Sequence, residues 1–138
     1  VFKKRNEKIK KPEKELIKDP IALELYIDIE NLGQETAEQP LRLRKWSKLK
    51  AEVSEKARAI EQKVKEVEAK AYLYYAGGGG KVKEIESKVN ADKEVINIRK
   101  ELREALKLEE EYKGIVGAFK SRDQALNNLS ADRRGGFE

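Results

Sequence analysis

Lys56, Lys63 and Lys70 recur at seven-residue intervals in a stretch without Gly or Pro, and Arg42 falls in the same register. On an α-helix this interval is about 10.5 Å along one flank, so such a row of cations can track a phosphate backbone. Tyr72, Tyr74 and Tyr75 lie within five residues of Lys70. Cations beside aromatic rings make up a single-strand site, where bases stack on rings and Lys neutralises phosphate. Each feature also has a structural reading. A flanking Lys row can pair with Glu on neighbouring helices, and the tyrosines can close a seam at Tyr74 and pack at a turn. Two further basic features are residues 1–18, with a net charge of +5, and Lys120-Ser121-Arg122 with Asp123 beside it. The first can contact nucleic acid or an acidic protein surface, or serve as a solubilising arm.

The 138 residues include no Cys and no His. That removes thiolate nucleophiles, imidazole bases, disulfides and the nitrogen and sulfur ligands of zinc. No spacing resembles a calcium loop or a phosphate-cradling P-loop. No apolar run approaches the roughly 20 residues needed to span a bilayer, and no charged-then-apolar leader is present. The expectation is a protein that works by binding, with no catalytic residue, metal or cofactor and no membrane partner.

The elements that must position these residues follow from composition and period. Charged residues make up 41% against 38% hydrophobic, which suits narrow seams between long helices better than a wide core. Asp19-Pro20 starts a helix, with Asp as cap and Pro at the first position, and Ile21, Leu25, Ile29 and Leu32 continue it to a stop at Gly33. This predicts a short acidic helix that can fold back onto the basic long helix or meet a basic partner protein, with 34–40 as a connection. From Leu41 to Tyr75 the apolar residues Trp46, Leu49, Val53, Ala57, Ile60, Val64, Val67, Ala71 and Tyr74 repeat at an average of 3.5, a coiled-coil seam. Trp46 reads as core. Gly77 to Gly80 form a hinge between antiparallel neighbours. A second periodic stretch, Lys81 to Leu129, carries Val95, Ile98, Leu102, Ala105, Tyr112, Val116, Phe119 and Leu126, with Glu109 and Asp123 also on seam positions. It is one helix or two, since Asn90 or Asp92 can cap a new start. Gly114 and Gly117 permit a close helix approach or a bend, and Arg133-Arg134-Gly135-Gly136 read as a helix terminus.

Four stretches together resemble the phage recombination-mediator family of the UvsY type. They are Leu32-Gly-Gln-Glu35-Thr-Ala37 leading to Pro40 and Leu43-Arg44-Lys45-Trp46, then Tyr74-Tyr75 before glycine, then Ala91-Asp92-Lys93-Glu94-Val95, and lastly Lys120-Ser121-Arg122. The resemblance implies a small helical protein that forms a homo-oligomeric ring, a hexamer or heptamer, in the cytoplasm of the infected bacterial cell. Its partners would be single-stranded DNA, the single-strand-binding protein coating it, and the RecA-like recombinase that replaces the coat. Its role would lie in DNA recombination, repair and replication. The resemblance ties the basic motif before the tyrosine pair to DNA binding, here Lys70 with Lys63 and Lys65. It ties the C-terminal helices to assembly, here Leu102, Ala105, Tyr112, Val116, Phe119 and Leu126. Ala69-Lys70-Ala71-Tyr72-Leu73 holds one cation where the family pattern has two, so part of the DNA contact is expected on the N-terminal arm or on Lys56 and Lys63.

The expected fold is all-α, an elongated helical hairpin or coiled-coil protomer with a short N-terminal helix, assembling into a ring-like oligomer. Residues 1–18 form a basic arm, 19–76 the DNA-binding part, 77–80 the glycine hinge and 81–138 the oligomerisation part. The nucleic-acid set is Lys56, Lys63, Lys65, Lys70, Tyr72 and Tyr74, completed by Arg44, Lys45 and Lys48. The competing readings are a structural coiled-coil scaffold and an architectural duplex-DNA-binding protein.

Overall fold

A computed structural model describes residues 16–135 of the chain. The predicted basic arm, except for its last three residues, and Gly136 of the predicted terminus lie outside the described residues. Within them the regular structure is all helical: α1 (Pro20–Leu25), a 3-10 turn (Ile29–Asn31), α2 (Leu32–Ala76), α3 (Val82–Ala91) and α4 (Lys93–Gly135).

The short acidic helix starts as expected, because the Asp19 side chain accepts from the Ile21 amide at 3.0 Å and Pro20 opens the first turn. It ends at Leu25 rather than running to Leu32. Tyr26 and Asp28 are extended, and Asp28 caps the 3-10 turn by accepting from the Glu30 amide at 3.1 Å. The reason lies on α4, where the Arg122 guanidinium donates to the Leu25 and Tyr26 carbonyls at 3.1 and 3.2 Å. An ion-like donor replaces the amides that a continued helix would have supplied.

Gly33 is not a stop, and residues 34–40 are not a connection, for α2 begins at Leu32 and runs through Pro40. An interior Pro costs a helix about 3 kcal/mol, through a missing amide donor and ring crowding. Burial on both sides of it offsets that cost. Leu32, Glu35, Gln39 and Trp46 are all buried, and the Gln39 amide donates to the Phe119 carbonyl at 2.7 Å.

The chain divides into two compact units. The first contains the described residues up to Ser47 and those from Gly114 onward. Its buried apolar residues are Leu32, Trp46, Val116, Phe119 and Leu126, and Trp46 stacks on Phe119 with ring centroids 6.0 Å apart. The second, Lys48–Lys113, buries Ala57, Val64, Ile85, Val89, Val95 and Ile98.

In the second unit the predicted seam of α2 holds through Ala71 and then slips. Tyr74 is 77% exposed, while Tyr75 packs with Val67, Ala71 and Ala76 against Ile85, Val89 and Val95. A straight helix turns 3.6 residues per turn, so a strict 3.5 register drifts across four heptads, and a step of four from Ala71 lands on Tyr75. The glycine turn follows, with Gly79 and Gly80 at φ of 76° and 129°. The second periodic stretch is two helices, and Asp92 is the break. Its Oδ1 accepts from the Glu94 and Val95 amides at 2.9 and 3.2 Å, capping α4. No other described part of the chain packs against Gly114 or Gly117. A methyl group at either would meet nothing within 4 Å, and α4 passes through both.

Candidate nucleic-acid interface

Lys56, Lys63 and Lys70 are exposed on α2 and form no ion pair with another described residue. At about 100° per residue, their spacing places all three on one flank of the buried seam, with Tyr74 on the same flank one turn past Lys70. The Tyr74 ring meets Tyr75 edge-on at 5.1 Å, so its open face belongs to an anchored pair. Tyr75 is fixed in turn by donating its hydroxyl to Asp92 Oδ2 at 2.8 Å. That hydrogen bond, with partial desolvation and the negative charge beside it, holds the Tyr75 phenol above its ordinary range. The same bond, followed by those from the α4 amides, holds Asp92 below the usual carboxylate range. The tyrosine pair and the Asp92 cap are thus one piece of structure.

Lys65 and Tyr72 belong to the other flank of α2. There a concavity of about 450 Å³ is lined by Lys65, Glu68 and Tyr72 from α2, Glu86 and Asn90 from α3, and Arg99 from α4. Arg99 donates to Glu68 at 3.2 Å and to Asn90 at 2.9 Å. The nine predicted residues therefore do not form one surface. Lys48, also in this unit, is exposed and without an ion pair among the described residues.

In the first unit Arg44 is exposed, but Arg42 and Lys45 are engaged by the acidic segment. Arg42 donates to the Glu24 carbonyl at 2.7 Å and to Glu38 at 2.6 Å. Lys45 donates to Glu24 Oε1 at 2.8 Å and lies 5.0 Å over the Trp46 ring, while the Trp46 indole donates to Glu24 Oε2 at 2.9 Å. Burial pushes the Glu24 carboxyl up, but the bonds from Lys45 and Trp46 and the charges of Lys45 and Arg42 outweigh it, leaving the group below its ordinary range. Of the two outcomes its charge allows, the acidic segment takes the first and folds onto the basic helix.

The basic cluster at 120–122 is split. Lys120 and Ser121 are exposed, whereas Arg122 is 4% exposed and donates to Gln39 at 2.5 Å and to Glu35. Burial lowers its pKa and the Glu35 charge raises it, with lowering the net result. Arg122 is a core cation held by a carboxylate, an amide and two carbonyls. Of the residues expected on the assembly seam, Val116, Phe119 and Leu126 are buried within the protomer, and Leu102, Ala105 and Tyr112 are half-buried. Sequence reasoning misses the Glu68–Arg99–Asn90 chain and the Glu35–Gln39–Arg122 group. Neither has a local signal, because the partners stand 9 to 31 and 83 to 87 residues apart.

Over residues 21–134 the chain matches the family described as "Recombination, repair and ssDNA binding protein UvsY". Its fold is similar to crystal structures of the bacteriophage T4 recombination mediator protein UvsY in three lattice types. Lattice type IV is 23% identical and superposes with a TM-score of 0.74, covering 84% of this chain and 92% of that one. Lattice type I is 25% identical at a TM-score of 0.73, covering 84% and 95%. Lattice type II is 23% identical at 0.74, covering 86% and 93%. No curated protein sequence matches the chain. No helix among the described residues is long and apolar enough to cross a membrane.

Proposed function

Because the chain belongs to the UvsY family of recombination, repair and single-stranded-DNA-binding proteins, we propose that it is a non-catalytic recombination mediator, binding single strands and helping to load a RecA-like recombinase where single-strand-binding protein coats them. The observation that carries this reading is the exposed flank of α2, on which Lys56, Lys63 and Lys70 have no ion pair among the described residues and end beside the open ring of Tyr74. Three cations spread over about 21 Å of helix give several weak, salt-sensitive phosphate contacts, and the ring adds sequence-tolerant stacking. Arg44, Lys48 and Lys65 add positive charge elsewhere on the protein. Lys45 contributes least, because Glu24 already neutralises it.

Such contacts gain strength when several copies sit on one strand, since the second and later contacts become intramolecular. We therefore assign the protein to a ring of six or seven subunits. Val116, Phe119 and Leu126 serve the protomer's own core and act on assembly by shaping it. The contacts between copies fall to the half-covered face of α4, where Ala105, Leu108 and Tyr112 recur at i, i+3 and i+7 and Leu102 lies beside them. A strand bent across such a ring is a poorer substrate for a coat protein, and the recombinase gains access. The test is the lag before recombinase ATP hydrolysis on a coated single strand. The protein should shorten it, and Lys63→Ala with Lys70→Ala should restore it. An unchanged lag would sink the mediator reading.

A further inference from the structure

The concavity on the Lys65 and Tyr72 flank has a directional set of hydrogen-bonding groups. Arg99 donates to the Asn90 side-chain oxygen at 2.9 Å and is itself held by Glu68 at 3.2 Å. That bond fixes which end of the Asn90 amide faces Arg99, and its amide nitrogen, which has no partner among the described residues, is the donor available to the space. Glu86 stands four residues earlier on the same helix, so its Cβ is about 5–6 Å from that of Asn90 on one face. Its carboxylate is exposed and takes no hydrogen bond or ion pair from another described residue. Across the space, Tyr72 is 38% exposed, and Lys65 lies seven residues before it on the same flank, about 10.5 Å away.

We propose that this concavity takes one guanine base of a bound single strand, stacked on Tyr72 and read by Asn90 and Glu86. The inference rests on the reading of the chain as a single-strand binder and adds a base preference to it. The pairing edge of guanine presents an acceptor at O6 followed by two donors, N1–H and the N2 amine. A fixed amide donor next to a carboxylate with two acceptor oxygens is the complement of that order. Adenine, cytosine and thymine each offer the carboxylate a single donor group. In an unpaired strand this edge is free to be read, as it is not in a duplex. Lys65 neutralises a flanking phosphate, and Arg99 acts as a positioning residue by holding the Asn90 amide in place.

Competition anisotropy at fixed salt tests the proposal, using a dT oligonucleotide and versions with one central dG, dA, dC or deoxyinosine. The dG strand should bind about five- to tenfold tighter than the dA and dC strands, the lower end of what one good bidentate pair supplies. Deoxyinosine, which lacks only the N2 amine, should fall between them. Glu86→Gln should remove the dG advantage, and so should Asn90→Asp, which turns the donor into an acceptor. Circular dichroism verifies that both variants remain helical. Equal affinity for all strands, with the dT strand still bound, overturns the guanine pocket alone. No binding of any strand overturns the single-strand reading itself. Free dGMP competing as well as the dG strand would make this a nucleotide site and overturn the proposal.

Discussion

Replacing Arg122 with Met keeps most of the side-chain volume and removes the guanidinium from the centre of the first unit. The side chain of Arg122 is 2% exposed and that of its partner Glu35 is 10% exposed. Removing one member of a buried pair typically costs about 3–5 kcal/mol, because the remaining charge is left in a poor solvent. Two local features place this case near the lower end. Glu35 keeps Arg42 at 4.0 Å, and the Leu25 and Tyr26 carbonyls belong to half-buried residues that water can reach. Gln39 has no such relief, being 2% exposed, and is deprived of the donor to its side-chain oxygen. A destabilisation of about 3 kcal/mol is expected, and at a urea slope of about 1.5 kcal/mol/M it lowers the midpoint by about 2 M. Trp46 is the only tryptophan and sits in this unit against Phe119, so its fluorescence reports the transition directly. Adding Glu35→Leu to Arg122→Met should recover at least half of the stability, since an apolar pair of similar size does not strand a charge. A midpoint shift below about 0.5 M, or a further fall in the double variant, would refute the view of Arg122 as a core cation.

Lys63→Ala with Lys70→Ala should reduce the slope of log affinity against log salt by about 0.7 for each phosphate of the single strand that is no longer neutralised; an unchanged slope would move the site elsewhere. Glu24 is held below its ordinary value of 4.5, so its contribution to stability is present above that pH and disappears as pH falls through the lower folded value. Glu24→Gln should therefore lower the urea midpoint at pH 7 and flatten its decline on acidification, read by Trp46 fluorescence. Gly79→Ala should destabilise by about 1 kcal/mol through its left-handed φ. Gly80→Ala should cost more, since its φ of 129° suits only glycine, while the nearby tip of the exposed Glu84 side chain can move aside; thermal melts of the two variants rank them.

The long helices and most of the seam are legible in the sequence because burial recurs at a period that side-chain type reports directly. Trp46, Ala57, Val64, Val95, Ile98 and Phe119 stand where that period places them. The cap at Asp92 is legible as one of two alternatives, and the Tyr75 hydroxyl explains why it prevails, since it anchors Asp92 to the preceding helix. Gly33 and Pro40 mislead because tertiary contacts from Phe119 and Arg122 outweigh local propensity there. Tyr74 and Tyr75 exchange roles because one residue of drift at the end of a long seam is invisible to a fixed heptad. Of the candidate site, the Lys row is readable from spacing, but spacing leaves open whether it pairs with Glu, and that it forms no ion pair among the described residues is visible only in the structure. That Lys65 and Tyr72 face away from the row follows from helical geometry, but what they face does not. Glu86, Asn90 and Arg99 reach that concavity only through the return of the chain at the glycine turn. Arg122 reads as a surface cation because arginine usually is one. Its partners Glu35 and Gln39 come from the other end of the sequence.

The central claim is single-strand binding through a cationic, tyrosine-edged flank of α2. Anisotropy titrations of labelled single-stranded and duplex DNA of equal length, across a salt series, test it most directly. A clear preference for the single strand, weakening as salt rises and reduced by Lys63→Ala with Lys70→Ala, is the expected result. Equal or tighter binding of the duplex, or no binding of either at low salt, would contradict it.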